Sequence, residues 1–544
     1  MNWKAPLKKV LGMLPYSAEA IESIRPEHAD LPGGYQVNRL VGMLDEWLAT
    51  LQTFEEFENP RTPKRVLIVA NLRWWLEYTT AIGVLLKAAG HEVELGYFPY
   101  RDWFASVDLF DLRRQKAYLR RALEPIADEI RMHDLSKSLG GKLPEEIERL
   151  VSEQSRIDVQ YTLQREQIDL EQQGEELTLF QLRLQRNRAA ASAALELLGT
   201  KRFDVVIIPN GSILEFGTIY KVARQLKVTA VTFEFGEQRE RMWLARNAEV
   251  MRQDTSELWD QISQLPLSKS QLEDLRSLTN ARRGGILWEN FSRQWQAEQS
   301  KGTTELYQQL SIDPEKPVGL LCTNVVSDSL ALDRQIFTDG MADWLAETVR
   351  HFAQRPTAQL VVRVHPGELL GAGHPSLDIV HATLPDLPAH VVLVPPESKI
   401  NTYDLIEIAD LGLVYTTTVG MEMAMSGVPV VVSGLTHYRG KGFTFDPKSM
   451  HEYLAKIDQI LADASASRLD DDQIDTAWRY AYRFFFNYPF WFPWHLIHFW
   501  EDIENRSISQ VLTESKSKVQ RSIDALVGSP IQWTEPIVHQ GEQV

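Results

Sequence analysis

Short, nearly continuous apolar runs recur in two parts of the chain, and the long stretch inside the first part carries its apolar positions at helical spacing instead. Arg65-Val-Leu-Ile-Val-Ala70 has the composition of a parallel strand buried on both faces. A helical pattern over about Glu77 to Ala89, a Gly90 stop and a strand at Glu92 to Tyr97 complete a strand-helix-strand unit. The same alternation resumes with a strand at Phe203 to Pro209, a helix over about Phe216 to Leu226 and a strand at Val228 to Phe233. Leu109 to Leu198 is almost free of strand signals and reads as helices inserted at about 105–200. Its Glu145 to Arg188 part places Leu163, Ile168, Leu170, Leu177, Leu179, Leu182 and Leu184 beneath a solvated charged face.

The second alternating region predicts strands at Pro317 to Thr323, Gln359 to Val364, Val391 to Val394, Gly412 to Tyr415 and Pro429 to Ser433. Helices are predicted over about Met341 to Ala353, Thr402 to Ala409, Val419 to Ser426, Met450 to Leu461 and Asp472 to Arg483. The expected fold is α/β, two Rossmann-like lobes with a long helical insertion in the first. The expected division is an N-terminal lobe over 1–310, a second lobe over 311–470, and C-terminal helices with an aromatic segment over 471–544 that pack back across the lobes.

Composition narrows the function classes. A length of 544 residues exceeds one ordinary core, and a net charge of -17 disfavours a general nucleic-acid binder. One cysteine, Cys322, excludes a disulfide framework and fits a reducing cytosol. The density of aromatic residues near the C-terminus would suit peripheral contact with the inner face of the cell membrane. That contact would run through Phe484 to Trp500, whose prolines and histidines interrupt any spanning helix. A buried aromatic seam between domains is the favoured alternative for this segment. No paired-Cys or His-Glu-x-x-His spacing occurs, Asp470-Asp-Asp472 reads as a helix N-cap, and neither a metal nor another cofactor is expected.

Candidate chemistry gathers between Gln359 and Thr444. Ligands of open parallel sheets bind outside the carboxyl ends of the strands. His365, aimed outward by Pro366, follows one such strand, and Arg363 within it needs a partner in Glu368 or Asp410 or an orientation to the cleft. Thr416, Thr417 and Thr418 open a helix after another strand, as phosphate ligands or as caps. Gly420 would allow close approach of a ligand, and Glu422 would receive sugar hydroxyls. Arg439 and Lys441, set between glycines, have the make-up of an anion clamp. In the first region Glu234 and Glu237 are candidate general bases, and Asn71, Arg73, Asn210 and Arg239 are acceptor-side candidates at the strand ends.

Thr323-Asn-Val-Val-Ser-Asp328, Trp344-Leu-Ala-Glu-Thr-Val349, Val362-Arg-Val-His-Pro-Gly-Glu368, Leu413-Val-Tyr-Thr-Thr-Thr-Val-Gly-Met-Glu422, Gly427-Val-Pro-Val-Val-Val432 and Gly440-Lys-Gly-Phe-Thr444 together resemble bacterial capsular polysaccharide biosynthesis proteins. That family is similar to the two-lobed, metal-independent (GT-B type) sugar-nucleotide glycosyltransferases, including those that transfer Kdo from its CMP form. The resemblance spans about Val318 to Tyr453. It implies a donor pocket built on His365, Glu422 and the Thr416 to Thr418 turn, a CMP-, UDP- or GDP-linked sugar as donor, and a saccharide or glycolipid acceptor, with His365 joining Glu234 and Glu237 as a catalytic candidate. A nucleotide-sugar 2-epimerase and a non-catalytic polysaccharide-assembly protein are the alternatives.

Overall fold

The computed structural model describes residues 4–24, 35–53, 62–136, 142–200, 202–288, 298–370 and 375–533. Strands β1 (Arg65–Asn71), β2 (Glu92–Phe98), β3 (Arg131–Asp134), β4 (Val205–Pro209), β5 (Thr229–Phe235) and β6 (Arg241–Arg246) belong to one sheet, and β7 (Val318–Cys322), β8 (Gln359–Arg363), β9 (Val391–Val394), β10 (Leu411–Val414) and β11 (Val430–Val432) to another. The short β12 (Phe490–Trp491) returns to the first sheet, whose order is β12-β6-β5-β4-β1-β2-β3; the second runs β11-β10-β7-β8-β9. Strands β1 to β5 are parallel, β6 and β12 antiparallel, and the second sheet is parallel throughout.

The chain forms two compact units. One comprises Met1–Asp158, Asp169–Met251 and Phe490–Ile531; the other comprises Val159–Ile168, Arg252–Pro489 and the residues from Gln532. Residues 252–310, grouped with the first lobe by sequence, lie in the second unit, and the chain from 471 is shared, with 471–489 in the second unit and 490–531 in the first.

The central strands of each sheet are parallel because they are apolar on both faces and joined by helices that cover them. Leu67, Val69, Val206 and Ile208 form a first core with Ala190, Ala194, Phe216 and Ile219 from the flanking helices. Leu321, Leu360, Val362, Leu411 and Leu413 form a second with Trp344, Phe352, Tyr453 and Ile457.

The insertion is not wholly helical. Between the helices Leu109–Ala122 and Glu145–Leu163 it adds β3, which pairs with β2 through Glu94, Leu95, Gly96 and Tyr97. Arg131-Met-His-Asp134 lacks the apolar signal of a central strand because it lies at a sheet edge, with His133 bonded to Glu94 at 2.5 Å. Residues 164–174 separate Glu145–Leu163 from Glu175–Thr200, so the helical spacing read across Glu145 to Arg188 is interrupted. The aromatic run from Phe484 is interior: Phe484, Phe485, Phe486 and Tyr488 are buried in the second unit, and Phe490, Phe492, Trp494 and Phe499 in the first. Among the described residues no helix is long and apolar enough to cross a membrane.

Candidate functional site

Strand order places a topological switch point in each sheet, the position where successive crossovers leave in opposite directions and ligands enter at the carboxyl ends. In the second sheet it lies between β7 and β10. Three loops are stitched together there. The Asn324 side chain accepts the Thr416 N–H (3.1 Å), and the Thr323 hydroxyl accepts the His365 N–H (3.0 Å). His365 Nδ1 in turn accepts the Gly367 N–H (2.9 Å), which leaves Nε2 to carry the proton of the neutral ring. Thr323 and Asn324 matter here through loop geometry, and nothing in their spacing marks that role.

Arg363 ends β8 with 4% of its surface exposed. One guanidinium nitrogen donates to the Pro395 carbonyl (2.7 Å), while Nε is buried without a hydrogen-bond partner. Neither expected carboxylate reaches it. Glu368 is fully buried and accepts the Ser376 hydroxyl (2.5 Å), and Asp410 accepts the Val318 N–H (2.9 Å). Burial lowers the proton affinity of Arg363, an effect the facing Cys322 and Glu397 oppose.

The threonines divide their labour. Thr416 donates to the Leu330 carbonyl (3.1 Å), whereas among the described residues Thr417 and Thr418 make no side-chain hydrogen bond, and Thr418, at the N-cap of Val419–Met425, does not cap it with its hydroxyl. Gly420 is required by packing rather than by ligand approach, since a Cβ there would run into the Tyr438 hydroxyl, itself donating to the Thr417 carbonyl (2.6 Å). Glu422 is likewise committed. Its Oε1 lies 3.1 Å from Arg282 Nε in an ion pair that is 7% and 8% exposed, and it accepts the Tyr403 hydroxyl at 3.1 Å. Arg282 and Tyr403 come from distant segments and were invisible as partners in the sequence. Glu422 also lines a cavity of about 340 Å³ with Arg283, Arg468 and Trp478.

The glycine-flanked loop is a built turn, not a flexible clamp. Arg439 donates to the carbonyls of Val432 (2.7 Å) and Pro447, while Asp446 accepts the Gly440 N–H (2.8 Å) and the Thr444 hydroxyl (2.9 Å). Lys441 remains half-exposed by comparison, 3.3 Å from the Ser256 hydroxyl. His437 in the same loop lies flat on Phe484, with ring centroids 4.0 Å apart, and its pKa is pushed down to about 3 by burial and, secondarily, by Lys441.

In the first sheet the switch point falls between β1 and β4. Two non-glycine residues with left-handed backbone flank it, Arg73 at φ 69° and Asn210 at φ 57°, strain of the kind that clusters at functional positions. Asn71 closes β1 beside them. Asn210 Nδ2 donates to Glu234 Oε2 (3.2 Å), bringing these two candidates together. Glu234 lies inside β5, opposite Trp243 of β6, rather than in a loop, because the segment after β5 turns back as an antiparallel hairpin. Glu237 is half-buried within that turn. Arg239 is held in ion pairs by Asp502 (2.6 Å) and Glu501 (2.9 Å). Among the described residues no three His, Cys, Asp or Glu side chains gather as a metal site requires.

No family model and no curated protein matches the chain. Among solved structures it is similar to the beta Kdo 2,4 transferase KpsC of Thermosulfurimonas dismutans, at 16% identity over 51% of this chain and 79% of that one, with a TM-score of 0.33. It is also similar to the sucrose-phosphate synthase of Thermosynechococcus elongatus (14% identity; 84% of this chain, 100% of that one; TM-score 0.30) and the UDP-GlcNAc 2-epimerase of Neisseria meningitidis (12%; 77% and 99%; 0.27).

Proposed function

We propose that the protein is a glycosyltransferase that moves a sugar from a nucleotide-linked donor to a saccharide or glycolipid acceptor of the cell surface, working in the cytoplasm. One observation carries this reading: at the carboxyl edge of the second sheet Arg363, Arg439 and Lys441 have no carboxylate within ion-pairing distance among the described residues, in a chain whose net charge is -17. A buried or half-buried cation whose nearest carboxylates, here Glu397, Asp446, Asp254 and Asp260, stay beyond ion-pairing distance is only partly compensated until an anion arrives. A nucleotide phosphate supplies that anion, and as a leaving group it is stabilised by the same positive field while the glycosidic bond breaks. His365, two residues after Arg363 in the loop that leaves β8, is the candidate catalytic residue on this side. The Thr417 and Thr418 hydroxyls are free to receive further phosphate or sugar oxygens. On the acceptor side Glu234, fixed by Asn210, is the candidate base that takes the hydroxyl proton.

The test is a melting panel of the full chain with UDP-, GDP- and CMP-sugars. At least one raises Tm, and Arg363→Met abolishes the rise. A panel without any shift rejects the reading, and a shift that survives Arg363→Met removes the cation from it. Conversion of UDP-GlcNAc without an acceptor would replace transfer by epimerisation.

A further inference from the structure

Strands β1 and β2 end side by side, Asn71 opposite Phe98, and the Leu72 N–H donates to the Tyr100 carbonyl (3.3 Å). The helix start after β1 and the loop after β2 carry three exposed rings: Trp74 at 71%, Phe104 at 56% and Trp103 at 37%. Rings of this size are normally covered, and a short loop left to itself would fold them inward. Here the backbone is prevented from doing so. Arg186 donates to the carbonyls of Asp102 and Ala105 (2.7 Å each), Arg183 donates to the Trp103 carbonyl (3.3 Å), and the Arg186 guanidinium lies 4.3 Å from the Tyr100 ring centre. Arg183 is itself fully buried, 3.1 Å from Asp158 and 3.0 Å from Glu215. Two buried guanidiniums from Glu175–Thr200 thus grip three loop carbonyls and leave the side chains outside.

We infer that Trp74, Trp103 and Phe104 form a platform for the sugar rings of the acceptor, and that Arg183 and Arg186 of the inserted helices are its positioning residues. This rests on the glycosyltransferase reading above and names the substrate class of its acceptor side. A pyranose has a face of weakly positive C–H groups, which the negative face of an aromatic ring attracts, and a rim of hydroxyls that need both donors and acceptors. Trp103 and Phe104 stand edge to face (5.7 Å, 87°), so they offer two ring faces at right angles. Arg101 and Asp102, 3.9 Å apart, supply a donor and an acceptor beside them. A lipid surface fits less well: anionic headgroups call for a cationic surround, and this pair is balanced in a chain of net charge -17.

The experiment applies the full chain, Trp74→Ala, and the double variant Trp103→Ala with Phe104→Ala to an array of bacterial capsule and lipopolysaccharide oligosaccharides. The same samples are applied to vesicles of phosphatidylethanolamine and phosphatidylglycerol. The unsubstituted chain is expected to bind saccharides, and the double variant to lose about tenfold or more of that affinity. Absence of saccharide binding, binding indifferent to all three rings, or ring-dependent binding to the vesicles alone would each overturn the platform. Melting with nucleotide sugars is read in parallel. A nucleotide shift without saccharide binding rejects the platform and leaves the donor reading intact, whereas ring-dependent saccharide binding without any nucleotide shift rejects the donor reading instead.

Discussion

Arg183 and Arg363 are both arginines removed from water, 0% and 4% exposed, and the fold treats them in opposite ways. Arg183, in the first unit, lies between Asp158 and Glu215, with Asn187 also bonded to Asp158 (2.7 Å). Arg363, in the second, has a single carbonyl and no carboxylate at ion-pairing distance. The surface-proximal cations repeat the contrast in weaker form, since Arg239 is held in ion pairs by Glu501 and Asp502 while Lys441 bonds a hydroxyl and feels Asp254 and Asp260 only from beyond ion-pairing distance. A compensated buried charge is part of the framework, and removing one partner strands the others. An uncompensated one is a liability to the empty protein, retained where something else supplies the missing charge.

The largest effect should come from the compensated side. Arg183→Leu leaves Asp158 and Glu215 buried without their cation, and the expected loss in chemical denaturation is about 3–5 kcal/mol. A loss below 1 kcal/mol would dissolve the contrast. His437 gives the next effect, and its sign follows from proton binding. Folded, the ring resists protonation down to about pH 3, whereas unfolded it protonates near 6.5. Its contribution is therefore complete above pH 6.5 and is lost as the pH falls toward 3, by about 2 kcal/mol at pH 5. His437→Phe keeps the stack on Phe484 and should flatten the stability curve between pH 7 and pH 5 by that amount; an unchanged slope would contradict the buried neutral ring.

Arg239→Gln should lower stability by about 1 kcal/mol, as Glu501 and Asp502 lose a partly exposed partner, without moving a nucleotide-sugar melting shift. The smallest change in stability is expected where the functional loss is greatest. Arg363→Met should leave the empty protein as stable or up to about 1 kcal/mol more stable, while abolishing that shift. A marked destabilisation would make Arg363 a framework residue like Arg183.

Much of the second sheet was legible because its strands are continuous apolar runs, so Val391 to Val394 and the helix Met341 to Ala353 coincide with their expected bounds. Strand β3 was not, since Arg131-Met-His-Asp134 is a polar edge strand that only its pairing with β2 defines. Glu234 was expected just beyond a strand and lies within β5, because hairpin pairing with β6 extends the strand past Phe233. In the second unit the loops of His365, Thr416 and Thr417 are bonded to their neighbours at the carboxyl edge, while several other candidates have duties different from those their types suggested. Glu422 is engaged by Arg282 and Tyr403, Arg439 by carbonyls, and Gly420 by Tyr438.

The order of apolar runs, by itself, determined two α/β cores and the strand ends from which His365, Thr416 and Asn210 project, because burial on both faces leaves a local and repetitive signature. Which charges are neutralised was decided by the tertiary structure alone. Arg183 meets Glu215 across 32 residues and Arg282 meets Glu422 across 140, separations with no periodicity to read, whereas Arg363 ends without a carboxylate although Glu368 stands five residues away.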